Sequence, residues 1–120
     1  MATKSTLIAL GAVNGAIAVA AGAFGAHALR ARLEPRMLEI FETGARYQMY
    51  HALAMVLCGL MATRGATTAG WIFQVGIVIF SGSLYALALS GVGKLGAITP
   101  LGGLGLLAGW CYLAYTAWKG

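Results

Sequence analysis

Apolar residues gather into four stretches, roughly 5–29, 45–63, 69–90 and 98–118, and the charged residues fall mostly between or at the edges of them. Each stretch approaches the ~20 residues a helix needs to cross a hydrocarbon core ~30 Å thick. The pattern predicts an all-α membrane protein: four transmembrane helices in an up-down-up-down bundle, with both termini on one side. The link between the first two spans is different in kind. From Arg30 to Arg46 it is charged, and after Pro35 it turns amphipathic, with Glu39, Glu42, Thr43 and Arg46 on one face and Leu38, Phe41 and Ala45 on another. Pro35 suits the first turn of a helix, where its missing N–H costs nothing. The reading is one helix over 35–63 that begins at the interface and enters the membrane; a kink or a separate interfacial helix before Tyr47 fits nearly as well. A short link, 64–68, joins the second and third spans. Thr99-Pro100 reads as an N-cap followed by proline at the first helical position of the fourth.

Composition sharpens this picture. With 60% hydrophobic and 9% charged residues and a mean hydropathy of +0.82, a soluble domain of 120 residues could not hide its apolar surface. One four-helix transmembrane domain over 1–120 accounts for the chain. A net charge of +5 would point to nucleic acid in a soluble protein. Here Lys4, Arg64, Lys94 and Lys119 stand singly at span edges, where cations anchor to headgroups, so no nucleic-acid partner is expected. The link side holds Arg30, Arg32, Arg36, Arg46 and Lys94, against Lys4, Arg64 and Lys119 opposite. The positive-inside rule therefore places the charged link in the cytoplasm and both termini outside a cytoplasmic membrane. Trp71, Trp110, Tyr112, Tyr115 and Trp118 read as an interfacial aromatic belt. Cys58 and Cys111 fall inside apolar spans and read as packing residues. The start of the chain resembles a secretory signal with an A-x-A site near Ala28. Its apolar run, however, exceeds the ~7–15 residues of a signal core, so it reads as a retained first span.

Small residues recur at steps of three and four. Gly11, Gly15, Ala18, Gly22 and Gly25 line one face of the first span, and Gly102, Gly105 and Gly109 one face of the fourth. In lipid such strips let helix backbones approach closely, because burial from water no longer drives association. Packing within the chain is the expectation. Pairing of the first with the fourth helix, or self-association and contact with other membrane proteins, uses the same strips. Gly82, between Ser81 and Ser83, is a further packing position in the third span. Asn14, alone in the first, reads as an interhelical hydrogen-bond donor.

The candidate site is the polar concentration His27, Glu39, Glu42, Arg46, Tyr47, Gln48 and His51. Polar groups are costly in hydrocarbon and are therefore the first functional candidates. Glu42 stands four residues before Arg46, the favourable order for a helical ion pair. His27 and His51 belong to the same half of the membrane. Three readings stay open: a clamp fixing the first helix on the second; an interfacial pocket for a lipid headgroup, quinone or other small molecule, or a proton site; and a haem or metal site at His27 and His51. No metal motif or C-x-x-C-H is present, so no cofactor and no metal is predicted. No nucleophile–base pair or nucleotide-binding loop is visible either.

The blocks Gly22-Ala23-Phe24-Gly25-Ala26-His27-Ala28-Leu29 and Phe41-Glu42-Thr43-Gly44-Ala45-Arg46-Tyr47-Gln48-Met49-Tyr50-His51-Ala52-Leu53 resemble the signatures of domain-of-unknown-function family 423. Phe80-Ser81-Gly82-Ser83-Leu84-Tyr85, Thr99-Pro100-Leu101-Gly102-Gly103 and Gly109-Trp110 resemble its later blocks. The resemblance implies a small multi-pass protein of bacterial cytoplasmic membranes, and it supplies no activity, cofactor or catalytic residue. It also argues against cleavage after Ala28, which would cut the first block. The expected function is a non-enzymatic scaffold or accessory subunit of the membrane. The alternative is a small-molecule, lipid or proton binding or transport protein using His27, Arg46 and His51.

Overall fold

A computed structural model of the protein describes residues 2–120, and the side chains of 4–120. Among the described residues there are four α-helices: α1 (Ala2–Phe24), α2 (Pro35–Met61), α3 (Arg64–Ser90) and α4 (Thr99–Lys119). A π-helical turn, Gly25–Leu29, extends α1, and a 3₁₀ turn, Gly93–Ala97, leads into α4.

The helix ends follow from local chemistry. Pro35 opens α2 as expected, after Glu34 in extended conformation, and the helix then runs unbroken through Tyr47 to Met61. It stops where Ala62 turns left-handed, with φ 56°. The next residue, Thr63, caps α3 by accepting from the Ala66 N–H at 3.1 Å. The link is thus two residues long, and 64–68, read from sequence as the link, is the first turn of α3. Gly91, with φ 74°, ends α3 in the left-handed region that glycine enters without steric cost. Pro100 sits in the first turn of α4, but Thr99 does not cap it. Its hydroxyl is bonded instead to Ser83 Oγ on α3.

Three segments, Lys4–Leu29, Arg64–Ser90 and Gly93–Lys119, are long and apolar enough to cross a membrane. α2 is equally long but carries the polar residues. It nonetheless shares their slab, because it packs along both α1 and α3. A side chain on Gly59 would meet Lys4 and Ile8 at one end of α1, and one on Gly25 would meet Phe41 at the other.

The helices alternate in direction, each packed on its sequence neighbour, with α1 and α4 as the outer members. This arrangement corrects the pairing of first and fourth helices entertained from sequence. The strip on α1 faces α2: a methyl group on Gly11 would lie 2.9 Å from the Ala52 carbonyl oxygen. The strip on α4 faces α3: a methyl group on Gly102 would lie 2.7 Å from the Phe80 Cα. Gly15 and Gly105 make ordinary contacts, and Gly109 sits tightly on Phe73. A methyl group added at Gly22 or Gly82 would find nothing within 4 Å, so neither glycine serves helix packing within the chain. Gly59, Gly70 and Gly76, which the spacing of small residues did not single out, do make close approaches. Between the helices lies a core of Leu7, Met55, Cys58, Phe73, Ile77 and Leu106, with a smaller cluster of Leu29, Phe41 and Ala88 under the charged link.

Candidate functional site

Residues 39–51 of α2 span more than three helical turns, so their side chains leave the helix in every direction. The structure sorts the sequence-predicted cluster into three groups.

The charged group faces outward. Glu39 and Arg46 are exposed and Glu42 is half-buried. Arg46 donates to Thr43 Oγ1 at 3.4 Å and does not pair with Glu42. His27, on the π-helical turn, is exposed.

The aromatic group faces α3 and α4. His51 is buried, and its ring contacts Phe73 and Trp110 with centroids 5.4 and 5.9 Å away. Its Nδ1 lies 2.7 Å from the Tyr47 carbonyl, and the Trp110 indole N–H donates to its Nε2 at 3.0 Å. A carbonyl can only accept, so Nδ1 carries the proton and Nε2 the lone pair: a neutral imidazole with both nitrogens engaged. Tyr47 packs on Phe80 at 5.0 Å. Together with Tyr50, Leu106 and Trp110 these rings line a groove of about 480 Å³ between α2 and α4. Trp110, assigned from sequence to the interfacial belt, lies instead mid-way along α4, still partly exposed, with its ring 4.9 Å from that of Phe73.

His27 and His51 do not come together. Gly25 meets Phe41 and Glu42, whereas Ala52 meets Gly15. Ten residues of helix, about 15 Å of rise, separate those levels. Among the described residues no three His, Cys, Asp or Glu side chains gather in a way that could hold a metal ion.

The amide group is where the membrane interior becomes polar. Gln48 is buried and faces α1 and α3. Tyr85 Oη donates to Gln48 Oε1 at 2.7 Å, and Gln48 Nε2 to Asn14 Oδ1 at 2.9 Å. Asn14 Nδ2 in turn donates to Gln74 Oε1 at 2.8 Å and to the Leu10 carbonyl at 2.9 Å. One relay thus joins α1, α2 and α3. Nearby, the buried Ser81 Oγ donates to the Gly44 carbonyl at 2.7 Å. Of the predicted site residues only Gln48 belongs to this relay. Asn14 was legible as an isolated amide in an apolar span. Gln74 gave the same signal in α3, and Tyr85 gave none. Among the described residues no buried side-chain nitrogen or oxygen lacks a partner.

Apolar helices long enough to span a bilayer, with their polar groups turned inward and bonded from helix to helix, define a small multi-pass integral membrane protein. The chain belongs to the family described as "Protein of unknown function (DUF423)", whose model matches residues 21–103. It is 44% identical over 117 residues to the UPF0382 membrane protein YwdK of Bacillus subtilis, covering 93% of this chain and 95% of that protein. It is 47% identical over 117 residues to a UPF0382 membrane protein of Staphylococcus epidermidis, covering 93% and 94% of the two chains. No solved structure matches the chain.

Proposed function

We propose that the protein is a non-enzymatic scaffold or accessory subunit of the cytoplasmic membrane, with the charged link between α1 and α2 in the cytoplasm and both termini outside. The observation that carries this reading is the use made of its intramembrane polar groups. Asn14, Gln48, His51, Ser81 and Ser83 are all buried and all bonded within the chain. Groups that act on a substrate keep a lone pair or proton free for it, whereas these fasten one helix to the next. His51 offers no free nitrogen to a haem or metal, which supports a protein without a resident cofactor. The alternative of a ligand or proton site at His27, Arg46 and His51 has less support, since those three residues face different surroundings. Excess Arg and Lys on the link side supports the orientation.

Purification from native membranes in mild detergent tests the functional class. A stoichiometric membrane-protein partner is expected; a Soret band would sink the scaffold reading. Cysteine labelling at Arg36 and Lys94 from the cytoplasmic side, and at Arg64 from the outside, tests the orientation in a chain lacking Cys58 and Cys111.

A further inference from the structure

The hydrogen-bond relay has a direction, and its last member is left with donors to spare. The Leu10 carbonyl can only accept, so Asn14 must present Nδ2 to it. That fixes the Asn14 amide, which fixes both neighbours: Gln48 donates to Asn14 Oδ1, and Gln74 receives the second Asn14 proton on its oxygen. The Gln74 NH₂ therefore points away from the relay. It has no partner among the described residues. In water such a group would bond solvent, but in hydrocarbon nothing supplies an acceptor.

Gln74 lines a crevice of about 330 Å³ between α1 and α3, with aliphatic walls that include Val13, Ile17 and Val78. Its size, its apolar walls and its few convergent polar groups are those of a small-molecule site. At one end lies Gly82, exposed and with nothing within 4 Å of where a side chain would begin. Depth narrows the occupant. Asn14 stands ten residues from Lys4 and fifteen from Leu29, the two ends of the apolar segment, about 15 and 20 Å of helix rise, and so lies well inside the hydrocarbon core. Ester and carboxyl groups of ordinary lipids stay at the interface, and their chains carry no acceptor at mid-depth.

We infer that this crevice binds an uncharged lipophilic carbonyl compound of the alkylated-quinone class, its carbonyl accepting from the Gln74 NH₂ and its body lying against the aliphatic walls. The inference goes beyond the scaffold reading and does not depend on it.

The probe is decylbenzoquinone, titrated into the purified full-length protein in detergent with melting temperature as readout, and decylbenzene as the carbonyl-free control. A saturable rise is expected with the quinone and none with decylbenzene. Gln74→Leu is expected to weaken apparent binding by about tenfold, roughly the worth of one hydrogen bond. Since Gln74→Leu also removes a partner of Asn14 and could unfold the chain, Gly82→Leu serves as the second variant. It fills the crevice without touching the relay and is expected to abolish the shift. Gly103→Leu, which fills the other groove, is expected to leave it unchanged. An equal response to decylbenzene, no saturable response to the quinone, or loss of binding in Gly103→Leu but not in Gly82→Leu would each overturn the inference. So would a dimer that Gly82→Leu dissociates while the quinone has no effect, which would make the crevice an interface between two copies.

Discussion

Trp110 on α4 donates its indole N–H to Nε2 of His51 on α2 across 3.0 Å, although α3 lies between the two helices and α4 packs chiefly on α3. The bond ties an outer helix to an inner one and holds the imidazole in its Nδ1–H tautomer against the Tyr47 carbonyl. Trp110→Phe keeps an aromatic ring beside Phe73 and removes only the donor, leaving Nε2 without a partner. The expected loss is about 1 kcal/mol, the scale of interhelical hydrogen bonds measured in membrane proteins. In a double-mutant cycle with His51→Phe, followed by reversible unfolding in detergent, the two losses are expected to be less than additive. Additive losses would show that the residues do not interact.

Asn14 is the hub of the amide relay, accepting from Gln48 and donating to Gln74 and the Leu10 carbonyl. Asn14→Leu leaves the Gln48 NH₂ facing hydrocarbon with no acceptor, a larger penalty than the bond itself was worth. A loss of about 2 kcal/mol is expected, part of it recovered when Gln48→Leu is added. Unfolding midpoints of the two single variants and the double decide it; full additivity would remove the relay as a unit.

Much of the fold was legible because lipid imposes it: four apolar stretches became four helices, and Pro35 began the second. Helix ends were less legible. Arg64, Thr67 and Thr68 read as a loop because they are polar, yet they form the start of α3. Hydropathy marks where hydrocarbon ends, whereas Ala62 and the Thr63 cap mark where the helices do. The site was legible as a concentration of polar residues but not as an arrangement. Closeness in sequence brought Arg46, Gln48 and His51 together on paper, while 100° of helical rotation per residue sends them to different neighbours. The partners of Gln48 and His51 on other helices, Asn14, Tyr85 and Trp110, lie 34 or more positions away, and no local pattern names them.

Arg46 follows from the same sorting. It is exposed, and its bond within the chain is a long one to Thr43 Oγ1. An exposed cation at a helix surface carries its aliphatic stem against apolar surroundings and its head toward the interface. Arg46→Ala is therefore expected to change thermal stability in detergent by less than ~1 kcal/mol. The effect should add to that of Glu42→Ala, because the two residues are not paired. A loss of several kcal/mol, rescued by Glu42→Ala, would restore the ion pair that sequence alone suggested.

Two glycines test whether the packing strips act as described. Gly102 lies directly on the backbone of α3, where a methyl group would sit 2.7 Å from the Phe80 Cα. Backbone cannot rotate away as a side chain can, so Gly102→Ala must push α4 off α3. The shift would also disturb the neighbouring Ser83–Thr99 contact and the Trp110–His51 bond. Overpacking of this kind costs about 1–3 kcal/mol, more than the ~1 kcal/mol that alanine gains over glycine within a helix. Gly82 lies two turns of α3 from Gln74, with nothing within 4 Å. Gly82→Ala therefore meets no clash and keeps the propensity gain, so it is expected to leave stability unchanged or raise it by up to ~1 kcal/mol. Thermal unfolding of both variants in one detergent gives the comparison. A destabilised Gly82→Ala beside a tolerated Gly102→Ala would mean that the lipid-facing and helix-facing sides of α3 and α4 had been assigned the wrong way round.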